Sequence, residues 1–74
     1  MLVAVRWTDA HIVEDWSPGD PLECPIAVTY GRVIEDTKKH LAVAHEEFED
    51  GRCRQVTVVP REMIVEVQKL RRLP

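Results

Sequence analysis

The chain has 74 residues, 45% of them hydrophobic and 31% charged, with ten Lys and Arg against thirteen Asp and Glu for a net charge of -3. This length holds one domain with one modest core, and the composition excludes intrinsic disorder. The acidic balance argues against a protein that coats nucleic-acid phosphates non-specifically. No apolar run nears the roughly 18 residues of a membrane span and no signal-peptide pattern opens the chain, so a cytoplasmic protein with no membrane partner is expected.

A first strand is predicted over residues 2–7, where Leu2, Val3 and Val5 lead to Trp7. Residues 8–25 follow as a long acidic loop carrying Asp9, Glu14, Asp15, Asp20 and Glu23. Within it, Ser17-Pro18-Gly19-Asp20 reads as a turn, because proline sets φ and glycine supplies a positive one. So long a loop in so small a domain is commonly functional. The second strand is expected over 26–34, with Ile26, Val28 and Tyr30 on one face and Gly31 marking a bulge or bend. Residues 35–39 read as a polar turn. The third strand covers 41–45, with Leu41 and Val43 on one face and Ala42 and Ala44 on the other.

Asp50-Gly51 signals a hairpin into a fourth strand over 53–59. Pro60 and the next three residues read as a tight or 3₁₀ turn, a fifth strand starts at Ile64, and residues 69–74 form a basic tail. Two segments have a helical alternative. Residues 37–48 contain good helix formers but no clean 3.6-residue apolar stripe. Residues 62–70 place Met63, Val67 and Leu70 at helical spacing, but the β-branched Ile64, Val65 and Val67 favour a strand.

Five short strands with a bend in the second predict an all-β fold, a small five-stranded bent antiparallel barrel of the SH3-like or Sm-like kind, as one domain over 1–74. Residues 56–67 resemble the strand–turn–strand ending of Sm-like proteins. The chain also resembles small proteins of unknown function common in phage and prophage genomes. The motifs are V-x-W-x-D-A at residues 5–10, G-x-V-x-E-D at 31–36 and V-P-R-x-x-I-V at 59–65. The resemblance implies a small barrel and little about activity. The RNA-binding signatures of true Sm proteins have no residue-by-residue counterpart, so no binding residue is carried over.

His11, Cys24, His40, His45 and Cys53 carry zinc-ligating atoms, but they lack paired spacing and lie in different elements, so neither metal nor cofactor is expected. Cys24 and Cys53 are expected to stay thiols in a reducing compartment; a single disulfide between them is the alternative. His11 stands near Glu14 and Asp15, with Cys24 as the nearest nucleophile. No helix N-terminus or basic neighbour activates that thiol, and so short a chain offers little cleft, so a non-enzyme is expected.

Trp7, at a strand end, reads as core, and Trp16, in the acidic loop, as an interface or ligand contact. Arg52, Arg54 and Arg61 flank the fourth strand and join Trp16 as ligand-binding candidates, since the arginine fork suits phosphates and carboxylates. Their alternative is a solvated face, or ion pairs with acidic residues of the same or a neighbouring subunit. Val56, Val58, Ile64, Val65 and Val67 make the last two strands apolar edges with little charge to protect them, which predicts a homo-oligomer interface and plausibly a ring. The expected function is therefore a non-enzymatic oligomeric Sm-like module for an anionic ligand, RNA or a small nucleotide, of the kind a phage encodes. The alternative is a module that docks a protein partner through the Trp16 loop.

Overall fold

Alternating β-branched residues, punctuated by turn residues, shape a chain whose regular structure is almost wholly strand. The structure, a computed structural model, describes residues 1–71, so the last three residues of the expected basic tail lie outside it. The strands are β1 (Leu2–Thr8), β2 (Ile26–Asp36), β3 (His40–Glu47), β4 (Cys53–Pro60) and β5 (Ile64–Lys69), with a 3₁₀ turn at Arg61–Met63 between the last two. Both segments with a helical alternative are strands. Each strand matches its expected position and runs one to three residues longer, because ladder pairing carries polar end residues such as Asp36 and Glu47 along with the apolar ones.

All five strands pair antiparallel in one sheet of order β4-β3-β2-β1-β5. The pairing brings Val3, Val5, Leu41 and Val43 into one buried cluster, with Trp7, Val33 and Ile64 packed against it. Val59, opposite Leu41, is fully buried too. Ala4, Ala42 and Ala44 are buried on the other face, each opposite a larger partner: Tyr30, Val58 and Val56.

The sheet is open but cannot be flat. Strands β4 and β5 sit at its two edges, yet only Arg61–Met63 separates them in the chain. Four strand spacings span about 19 Å in a flat sheet, whereas a three-residue 3₁₀ turn advances about 6 Å. The sheet must therefore roll until its edges converge at this end. That roll lets Ile64 reach the same core as Leu41.

Two irregularities accommodate the roll. Against β3, the register shifts between Val33 and Glu35, leaving Ile34 as the extra residue; against β5, it shifts at Arg6/Trp7 and leaves Val65 unmatched. The bulge expected at Gly31 thus lies three residues further on. Gly31 itself pairs regularly with Val3 and serves a different need. A Cβ there would collide with the Ala44 carbonyl oxygen and lie 2.7 Å from Val43 Cγ1, so the glycine allows β2 and β3 to cross closely. In β4, Gln55 has a φ of 56°, a left-handed conformation uncommon outside glycine.

The β1–β2 hairpin continues past its last pair, Thr8 with Ile26, into an arm of residues 9–25. Its base is closed by Asp9 N–H donating to the Pro25 carbonyl at 2.8 Å. Its tip is the expected turn: Asp20 N–H donates to the Ser17 carbonyl, Ser17 N–H to Asp20 Oδ2, and Gly19 sits at φ 98°. The molecule measures 52 Å along its longest axis and 25 and 23 Å along the others. No helix is long and apolar enough to cross a membrane among the described residues.

Candidate functional site

The arginines singled out from the sequence are each engaged with a carboxylate. Arg52 Nε donates to Asp50 Oδ2 at 2.8 Å, and Arg54 Nη2 lies 2.5 Å from Glu46 Oε1. Both guanidinium groups also stack over Phe48, at 5.2 and 5.5 Å from the ring centre. Arg61 pairs with Asp36 and donates through Nε to the Thr37 carbonyl at 3.1 Å. Its backbone N–H adds a bond to the Lys39 carbonyl. Arg61 thereby ties the 3₁₀ turn to the β2–β3 connection. Arg52 and Arg54 are thus close together, Arg61 lies at the opposite end of β4, roughly 20 Å away along the strand, and Trp16 stands apart on the arm. They form no single site.

A different basic group does converge. Beyond β1's first residue, Val33 N–H donates to the Met1 carbonyl on one side and Leu70 N–H to the Leu2 carbonyl on the other, both at 2.9 Å. These bonds carry Arg32 of β2 and the end of β5 to either flank of the β1 start. The result is a cleft of about 640 Å³ lined by Met1, Leu2, Arg32, Lys69, Leu70 and Arg71. Among the described residues, three basic side chains line it and no carboxylate does.

Arg32 is ion-paired. Its Nη2 pairs with Glu47 of β3, and the hydrogen bond and charge of that carboxylate push the guanidinium pKa further up. Its Nε is buried with no hydrogen-bond partner among the described residues. Because that Nε has no exposed surface, only the rest of the Arg32 side chain, 42% exposed, can meet a solute. Lys69 and Arg71 were visible in the sequence as part of a basic end. Arg32 was not, since nothing local distinguishes it; only the β1–β2 register, Leu2 opposite Arg32, places it beside them.

The arm carries a second, smaller hollow of about 190 Å³ lined by His11, Val13, Leu22, Glu23 and Cys24. Cys24 and Cys53 are both free thiols. Among the described residues no three His, Cys, Asp or Glu side chains gather closely enough to hold a metal ion. His40 instead lies 2.5 Å from Glu35 and His45 2.8 Å from Thr57 Oγ1. The arm also exposes Ile12 (89%), Leu22 and Trp16 (52%), although the Trp16 indole N–H is bonded to the Asp20 carbonyl at 3.1 Å.

The residues expected at the edges divide by burial. Val56, Val58, Val65 and Val67 are exposed, Val58 and Val65 at 56% each. Ile64, grouped with them from the sequence, packs against the core. No protein-family model, no curated protein and no solved structure matches this chain.

Proposed function

We propose that this protein is an oligomeric, non-enzymatic module that binds an anionic ligand, with its rolled sheet completed as a small Sm-like barrel. The observation that carries the ligand reading is the cleft: three basic side chains from β2 and the end of β5 and, among the described residues, no lining carboxylate. Such a lining favours phosphate or carboxylate oxygens over any neutral solute.

Assembly is supported by the unprotected edges. β4 and β5 each have one side without a partner strand, and both expose valines there. Pairing β4 of one copy with β5 of the next is a heterologous contact, which closes into a ring when the rotation allows. The resemblance of residues 56–67 to the Sm-like ending supports the same arrangement, and the resemblance to phage and prophage proteins supports a phage setting.

Native mass spectrometry of the protein taken directly from cell extract, followed by gentle denaturation, tests both halves. A multimer that releases a phosphorylated small molecule or RNA supports the reading. A bare monomer overturns it.

A second reading has its own observation. The arm presents Ile12, Leu22 and Trp16 to solvent among five carboxylates, the pattern of a surface that docks a basic, apolar protein partner. In that case Trp16→Ala abolishes partner capture, while anions bind the purified protein no better than they bind a neutral control.

A further inference from the structure

Resting on the reading of the cleft as an anion site, we infer that its ligand is a short phosphate chain, either the di- or triphosphate end of a nucleotide or the free polyphosphate, and that the base is not read. Three features of the cleft lead there.

The first is charge. Arg32, from β2, is held by Glu47 through Nη2 and keeps a side chain 42% exposed. Lys69 and Arg71 approach from the β5 side on exposed side chains. Three basic side chains around one cleft suit several adjacent phosphate oxygens better than a lone carboxylate.

The second is size. A cleft of about 640 Å³ has room for two or three linked phosphates and not only for one. The third is what the walls lack. Besides the cations, the lining is Met1, Leu2 and Leu70, all aliphatic and without side-chain N–H or O–H groups to read a base edge. The chain's four aromatic rings are elsewhere. Trp7 packs on the core, Trp16 stands on the arm, Tyr30 pairs across from Ala4, and Phe48 lies under Arg52 and Arg54. Stacking is the usual grip on single-stranded nucleic acid, and this cleft has no ring for it.

The test is calorimetric titration of the full chain with inorganic triphosphate, ATP, adenosine and an RNA oligonucleotide lacking terminal phosphates. Triphosphate and ATP are expected to bind within about threefold of each other, adenosine not at all, and Lys69→Glu with Arg71→Glu to weaken both at least about tenfold. Both substituted residues are exposed, so the melting temperature should stay unchanged; Lys69→Gln serves as a milder second variant, expected to weaken binding and flatten its salt dependence. ATP binding without triphosphate binding would overturn the inference while leaving the anion reading intact. Tighter binding of the oligonucleotide than of triphosphate would overturn it in favour of RNA. Failure of every anion to bind would remove both the inference and the reading beneath it, and full affinity in the doubly substituted protein would place the ligand elsewhere.

Discussion

The Trp7 indole Nε1 donates a hydrogen bond to Thr29 Oγ1 at 2.9 Å, across the β1–β2 hairpin. The two residues are diagonal neighbours in the ladder, since Trp7 pairs with Ala27 and Thr29 with Val5. Thr29 is the one buried polar residue among the described residues, and this bond accounts for its burial. Thr29→Val keeps the shape but strands the indole N–H, and is expected to cost about 1–2 kcal/mol in urea denaturation. Adding Trp7→Phe should cost less in the Thr29→Val background than in the wild type, because the donor goes with its missing acceptor. Strict additivity in this cycle would show that the bond contributes nothing.

Two backbone positions are predicted to respond in opposite directions. Gly31→Ala drives a Cβ into the Ala44 carbonyl, a backbone atom that cannot rotate away, and should destabilise the protein by more than about 2 kcal/mol. Gln55→Gly relieves a left-handed φ of 56° and should be neutral or stabilise by up to about 1 kcal/mol. Thermal melts of the two variants decide the matter. A harmless Gly31→Ala would mean that β2 and β3 do not cross as described.

The edge valines are expected to control assembly and not folding. Val58→Lys on β4 or Val65→Lys on β5 places a charge on an exposed position that makes no core contact, so stability should change by no more than about 0.5 kcal/mol. Sedimentation at micromolar concentration should nevertheless show the oligomer falling to monomer in either variant. An unchanged oligomer in both would move the subunit contact away from these strands.

Arg61 is expected to matter for stability and Arg54 for neither stability nor binding. Arg61→Ala removes an ion pair to Asp36 together with a bond to the Thr37 carbonyl, and should cost about 1–2 kcal/mol. Arg54→Ala gives up an exposed pair with Glu46 and should stay within about 0.5 kcal/mol. Triphosphate affinity should shift by no more than about twofold in either variant, since neither residue lines the cleft. A tenfold loss with Arg54→Ala would instead place the ligand on β4.

Strand positions were legible in the sequence because each rests on local chemistry. Alternating β-branched residues mark Val3 and Val5 for one face, Ser17-Pro18-Gly19-Asp20 and Asp50-Gly51 dictate their turns, and Pro60 ends β4. The packing of Trp7 against the core followed from its place at a strand end, and the opposed faces of Leu41 and Ala42 from the period of two. What required the tertiary structure was everything set by pairing partners. The site of the bulge depends on how β2 lies against β3, so Ile34 took the place expected of Gly31, whose missing side chain instead admits a neighbouring carbonyl. Ile64 left the edge for the core because a three-residue turn forces the sheet to roll. Arg52 found Asp50 within its own turn, Arg54 and Arg61 found carboxylates brought to them by pairing, and Arg32, itself paired with Glu47, met Lys69 and Arg71, 37 and 39 positions further along the chain, where β1 lies between β2 and β5. Local sequence determines which segments become strands; long-range register decides which distant charges are brought together.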